Sequence, residues 1–216
     1  TGSAGGCLRT NDIEVSNKVR KWSTQARENA PWYQHEEVGY NYRMSNVVAG
    51  VIRGQYPHLE EHIAQKKAVY ERYRDGLKGL PIKMNPIVDG VVPNYWLSAL
   101  IIDKKYMCRQ VRDDSKALYI KEKGKTCPTE ILETLASLNA EGRPIWKPMH
   151  MQPMYRMHDA IGREGTLRCR TNAYIAGGVH DVGADIFDRG LCLPSDNKMT
   201  SDQQEIVIEI IKRCFE

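Results

Sequence analysis

Arg143, Lys147 and His150 stand in a run punctuated by proline, Gly142-Arg143-Pro144-Ile145-Trp146-Lys147-Pro148-Met149-His150-Met151-Gln152-Pro153. Proline fixes φ and removes a backbone donor, so this run can be neither a helix interior nor a central strand. A stiff, extended loop is predicted. Two cations and an imidazole at set positions on such a loop suit an anionic, oxygen-rich ligand. A connector with solvated cations is the alternative that spacing alone leaves open.

A second set lies upstream. Asn41 and Arg43 are two residues apart in an aromatic, polar stretch from Asn29 to Met44, with Pro31 and Gly39 as breakers. In extended backbone that spacing puts both side chains on one side. Asn41 capping a turn, and Arg43 pairing with Glu36 or Glu37, is the structural alternative. His58 and His62 have helical i, i+4 spacing, but no third ligand accompanies them, so no metal is expected. The six cysteines, Cys7, Cys108, Cys127, Cys169, Cys192 and Cys214, stand singly and form no CxxC pair. Reduced thiols of a cytoplasmic protein fit that pattern, and a zinc or thiol enzyme does not.

The elements that must position these residues can be read from periodicity. Asp12 to Arg27 is polar with weak helical periodicity. Ser45 or Asn46 is a good N-cap for a helix that uses Val47, Val48, Val51 and Ile52. Pro57 opens a second helix, with Glu60 and Glu61 suited to its dipole and Leu59, Ile63, Tyr70, Tyr73 and Leu77 as its stripe. Gly79 and Pro81 end it. Tyr95 to Ile102 reads as a buried strand. Pro128 opens a helix reaching Asn139, and Thr200-Ser201-Asp202-Gln203 is a capping box before a last helix that buries Val207, Ile210, Ile211 and Cys214.

Composition bounds the rest. The 216 residues are 41% hydrophobic and 27% charged, with a net charge of +4. No apolar run approaches the roughly 18 residues of a membrane span, so no membrane partner is expected. Without a basic cluster interleaved with aromatics, nucleic acid is not expected either. The opening Thr1-Gly2-Ser3-Ala4-Gly5-Gly6-Cys7-Leu8 reads as the middle of something, with sequence expected upstream.

Three motifs then occur in order: Gly39-Tyr40-Asn41-Tyr42-Arg43-Met44-Ser45-Asn46, Arg143 to His150, and Arg189-Gly190-Leu191-Cys192-Leu193-Pro194-Ser195. Together they resemble the DegT/DnrJ/EryC1/StrS family, the pyridoxal-phosphate-dependent aminotransferases of nucleotide-sugar pathways, across nearly the whole chain. The resemblance implies an α/β fold, the C-terminal part of an aspartate-aminotransferase-like fold type I transferase with an α+β small domain. Residues 1–80 would hold the end of the large domain with the dimer-interface loop and helices, and residues 81–216 the small domain. The segment from about Lys104 to Cys127 is longer than usual for the family. Thr1 to Gly6 resembles the end of a Thr-Thr-x-x-Gly-Gly turn. The lysine that forms the Schiff base with the cofactor precedes that turn and is expected upstream of Thr1, so this chain alone should be inactive.

The same resemblance implies roles. Asn41 and Arg43 would serve the phosphate of pyridoxal 5'-phosphate in the partner subunit of a homodimer, since an amide and a guanidinium suit phosphate oxygens. Arg143, Lys147 and His150 would serve the sugar nucleotide, whose diphosphate favours cations on a stiff loop. Arg143 could instead bond loop carbonyls, and His150 could pack under Trp146. Tyr40, Tyr42 and Trp146 are expected to pack rather than react. Arg189 to Ser195 would turn the chain into its last strand and helix, and Thr171 to Tyr174 beside Gly177 and Gly178 would form a ligand loop. The activity implied is transfer of an amino group, from an amino acid such as glutamate, to a keto-deoxy sugar on a nucleotide. A non-catalytic module that binds sugar nucleotides or pairs with a complete homologue is the rival reading.

Overall fold

The computed structural model describes residues 2, 4–112, 115–155, 158–161, 167–168 and 181–216. The expected ligand loop at Thr171 to Tyr174, and Cys169, lie outside them. Two compact units are present, Thr1–Glu61 and His62–Glu216. The change of sequence character near residue 80 falls later, because the helix before it already contributes Val69, Tyr73 and Leu77 to the second unit's core.

The first unit holds helix α1 (Ile13–Ser23) and helix α2 (Asn46–Gln55). Asp12 caps α1 by accepting from the amides of Glu14 and Val15, and Ser45 caps α2 by accepting from Val48. Neither helix buries a residue, and Ala26 is the one buried side chain among the described residues of this unit. Its shape therefore rests on hydrogen bonds and ion pairs rather than on a core.

The second unit is built differently. Tyr56–His58, the last turn of the first unit, is a 3₁₀ turn with Pro57 in its first positions, and α3 (Leu59–Gly76) follows, with its residues from His62 onward in the second unit. Strands β1 (Ile82–Met84) and β2 (Ala99–Ile102) pair antiparallel, with Met84 opposite Leu100. The expected strand from Tyr95 is shorter than its apolar run. Tyr95 has φ of +52°, which interrupts extended backbone, and the Ser98 amide donates to Ser195 Oγ instead of to a neighbouring strand. The long segment after β2 forms a 3₁₀ turn and an antiparallel pair, β3 (Gln110–Arg112) with β4 (Ala117–Tyr119). Helix α4 (Pro128–Ser137) then leads to β5 (Arg143–Pro144), and β6 (Ala160–Ile161) pairs with β7 (Leu167–Arg168). Helix α5 (Val182–Arg189) runs directly into β8 (Gly190–Cys192), and α6 (Ser201–Arg213) closes the chain with the expected capping box at Thr200 and Gln203.

The main sheet has the order β1-β2-β8-β5, all antiparallel. Pro144 sits on its edge strand, the one place in a sheet that tolerates a missing donor. Leu100, Ile102 and Leu191 face a core completed by Tyr73 and Leu77 of α3, Ile131 and Leu135 of α4, and Val207 and Ile211 of α6. Each such side chain contributes about 1.5–3 kcal/mol on burial. The opposite face is covered too. A Cβ on Gly190 would meet Ile186 O at 2.5 Å and Ile145 Cγ1 at 2.7 Å, so α5 and the proline loop lie against it.

Arg189 fixes the entry to β8. Its guanidinium donates to Asp185 Oδ1 at 3.0 Å and Oδ2 at 2.6 Å, and also to the carbonyl of Ile102. With Lys104 adding a contact at 2.9 Å, the guanidinium holds the Asp185 carboxyl down at about 2. Arg189 to Ser195 thus shapes the last strand and the approach to α6, as the sequence predicts. Among the described residues no helix is long and apolar enough to cross a membrane. Considerable apolar surface is exposed, including Val47, Val92, Trp96 and Trp146.

A test of this core lies within one helix. Ile211 is fully buried and Ile206 is 59% exposed. Ile211→Ala should cost about 2–5 kcal/mol in urea titration, whereas Ile206→Ala should stay within about 0.5 kcal/mol.

Candidate functional site

Asn41 and Arg43 sit on a loop that doubles back on the end of α1. The Gln25 amide donates to Tyr40 O at 2.9 Å, the Tyr40 amide to Trp22 O at 2.6 Å and the Tyr42 amide to Ser23 O at 3.0 Å. Gln25 and Ala26 take positive φ, and Gly39 passes so close that a Cβ there would meet Ala26 N and Gln25 C at 2.2 Å each. Only glycine fits at that crossing.

Glu37 ties the loop to the helix. Its carboxylate accepts from Lys18 Nζ at 2.5 Å and from the Trp22 indole N–H at 2.9 Å, and Lys21 Nζ lies 3.1 Å from its other oxygen. The Lys18 ammonium first, then the Trp22 and Lys21 donors, hold this carboxyl down at about 2. Lys21 is shared with Glu28 at 2.5 Å. The arrangement decides the alternative for Arg43: Glu37 is occupied by other partners, and Arg43 pairs with neither Glu36 nor Glu37. Among the described residues the Asn41 and Arg43 side chains are exposed and have no hydrogen-bond or ion-pair partner. The Asn41 backbone bridges Thr24, so its side chain projects from a pinned position. Asn41 also lines an open recess of about 760 Å³ with Tyr33 and His35. Tyr40 and Tyr42 stack on each other with centroids 5.1 Å apart.

In the second unit the proline loop leaves β5 and makes a 3₁₀ turn at Met149–Met151. Arg143 and Lys147 both line a recess of about 730 Å³, together with Lys66, Trp96, Trp146 and Ser195. Lys147 also lines a second recess, of about 560 Å³, bounded by Arg112 and Met151. Among the described residues Arg143 bonds no loop carbonyl. It donates twice to Glu141 Oε1, at 2.9 and 2.8 Å, with both side chains largely exposed.

His150 lines neither recess. Its Nε2 lies 2.5 Å from Asp181 Oδ2, while Asp181 Oδ1 caps α5 by accepting from the Ala184 amide at 2.9 Å. His150 is thus held against the start of α5 rather than packed under Trp146. Sequence reasoning missed Lys66 and Trp96, which join the recess from other elements, and Glu141, which lies only two residues from Arg143; it weighed Glu37 only as a partner for Arg43. Trp146, expected to pack, is 62% exposed.

Two cysteines that stand apart in sequence meet in the fold. Cys108 and Cys127 are both buried, and burial, with the Cys127 thiol beside it, pushes the Cys108 thiol up to about 12. A thiol so rarely ionised is a poor nucleophile. Among the described residues no group of three or more His, Cys, Asp and Glu side chains is placed to hold a metal ion.

Comparison with known proteins gives concordant results. A family model described as the DegT/DnrJ/EryC1/StrS aminotransferase family matches residues 1–212. EpsN of Bacillus subtilis (strain 168) is 35% identical over 216 residues, covering 100% of this chain and 47% of that protein. GDP-perosamine synthase of Vibrio cholerae is 27% identical over 215 residues, covering 100% of this chain and 49% of its own. Among solved structures, a DegT DnrJ EryC1 StrS aminotransferase from Brucella abortus superposes with a TM-score of 0.67 at 17% identity, over 95% of this chain and 45% of that one. Helicobacter pylori PseC gives 0.68 at 14% identity, over 95% and 47%. The chain therefore spans about half the length of the curated relatives it matches.

The Glu37 network makes a pH prediction. A carboxylate held below its ordinary value stabilises the fold above that value, and the contribution is lost as pH falls through the folded one. Trp22 fluorescence should report release of the loop between pH about 4.5 and about 2. Glu37→Gln should remove that transition, and its persistence in the variant would assign it to another group.

Proposed function

Because the chain belongs to the DegT/DnrJ/EryC1/StrS aminotransferase family and has the fold of the C-terminal part of a fold type I transferase, we propose that the whole protein is a pyridoxal-phosphate-dependent transaminase acting on a nucleotide-linked keto-deoxy sugar. The observation that carries this reading is the pinned loop with its exposed, unpartnered Asn41 and Arg43. A phosphate accepts several hydrogen bonds and carries charge, and a neutral amide beside a guanidinium answers both requirements. Such groups are costly to immobilise unless a ligand uses them, and here the backbone has already been held still by Glu37 and Gly39. These residues fit the phosphate of the cofactor. In the proposed homodimer the loop serves the partner subunit.

When bound, the cofactor supplies the carbonyl that takes an amino group from glutamate and the pyridine ring that stabilises charge during transfer. None of this chain's lysines stands in the family's motif, so the lysine that holds the cofactor is assigned to the part of the relatives' length that this chain does not span. Residues of the second unit take the other substrate. Lys147 and Arg143 border a recess of suitable size for a small ligand, and their charge suits a diphosphate. His150, held by Asp181, steadies the loop against α5. The relative named as a GDP-perosamine synthase supports a sugar nucleotide as the substrate class.

The test uses the full-length protein. Asn41→Ala should weaken retention of pyridoxal phosphate about 10- to 100-fold, the effect of losing a hydrogen bond to a charged group. Cofactor absorbance after dialysis measures it. Retention equal to wild type would remove Asn41 from the cofactor site.

A further inference from the structure

Trp96 and Trp146 are 50 residues apart in sequence but meet at the mouth of the same recess, with ring centroids 5.6 Å apart and planes 30° from parallel. Each is 62% exposed. Indoles usually spend their large apolar area on burial, so two of them paired in the open offer an unused aromatic surface. Neither position is accidental. Trp96 follows the positive-φ residue Tyr95, its amide accepted by Asn94 Oδ1 at 3.1 Å. Trp146 follows Pro144 and Ile145, where the loop leaves edge strand β5.

The chemistry around the pair selects its occupant. The recess combines the apolar Pro144, Leu193 and Pro194 with the cations Lys66, Arg143 and Lys147 and the carboxylates Glu141 and Asp196, Glu141 being the ion-pair partner of Arg143. A wholly apolar partner surface or a lipid tail would leave the charged groups beside the indoles without a use. A flat, polar-edged ring joined to a diphosphate uses both. At 5.6 Å the indoles are too close to admit a third ring between them, since that would need twice the stacking distance. The ligand ring must lie on the open face of the pair.

From this geometry we infer that Trp96 and Trp146 form a stacking platform for the nucleobase of a nucleoside diphosphate, whose phosphates lie toward Lys147 and Arg143. This deepens the proposed function and rests on its reading of the substrate as a sugar nucleotide. Stacking on an aromatic face is tolerant of base identity, because every base has a π-face. The platform supplies affinity, and any choice among bases is left to polar groups that line the same recess, such as the Glu141 carboxylate beside Arg143.

The experiment titrates the full-length protein with UDP, GDP and dTDP, and separately with inorganic pyrophosphate, by calorimetry. Trp96→Ala and Trp146→Ala are compared with Trp146→Phe, which keeps an aromatic face. Both side chains are exposed, so the variants should fold, and circular dichroism checks that they do. The expected result is a loss of about 5- to 100-fold in nucleotide affinity for each alanine variant, near-complete recovery with phenylalanine, and unchanged pyrophosphate binding. Equal nucleotide affinity in all three variants would overturn the platform while leaving the sugar-nucleotide reading intact. Equal losses for pyrophosphate and nucleotide would also overturn it, because the indoles would then be shaping the cation site. If the wild-type protein bound no nucleotide at all, the platform and the substrate reading would both fall.

Discussion

Strand β8 is three residues long, and the second unit is organised around it. Gly190, Leu191 and Cys192 are buried on both faces, between β2 on one side and β5 on the other. Leu191 points into the core beneath α3, α4 and α6, and Gly190 leaves room for Ile145 and the end of α5. A side chain at Gly190 would push the proline loop off the sheet. The backbone beyond β8 is equally committed: Tyr73 donates to Pro194 O at 2.8 Å, Lys66 donates to Ser195 O, and Ser195 Oγ accepts from Ser98. The floor of the recess, the direction of the proline loop and the placement of Trp96 all follow from how this short strand is held.

The first unit solves the same problem of positioning without a core. It uses one carboxylate with three donors, two residues in the left-handed region and one glycine crossing. Such an assembly is sensitive to pH and salt, because its main tie is an exposed ionic cluster screened by solvent. It leaves the polar side chains of Asn41 and Arg43 facing outward. The two units therefore hold their loops by different physics: buried apolar packing around β8, and charge around Glu37.

Much of the secondary structure was legible in the sequence because its signals are local. Ser45, Pro128 and Thr200 mark helix starts through contacts made within three or four residues, and each helix begins where the signal stands. Tyr73, Leu77, Val207 and Ile211 follow from the 3.6-residue period. The strand from Tyr95 was overread because an apolar run does not reveal a positive φ, which is decided by what Ser98 and Asn94 bond to. The exposure of Trp146 was not legible, because aromatic type suggests burial and says nothing of which face the chain turns outward.

The sequence by itself determined the helix starts at Ser45, Pro128 and Thr200, the proline loop, the family resemblance and the residue types on the two loops that carry Asn41, Arg43, Arg143 and Lys147. These depend on neighbours along the chain or on motifs read as strings. Only the tertiary structure decided that Glu37 takes Lys18, Lys21 and Trp22 and leaves Arg43 unpaired, that His150 goes to Asp181, and that Trp96 meets Trp146. Each of those outcomes is a competition among partners distant in sequence, settled by which backbone positions the sheet and the loop crossings bring within a few ångströms.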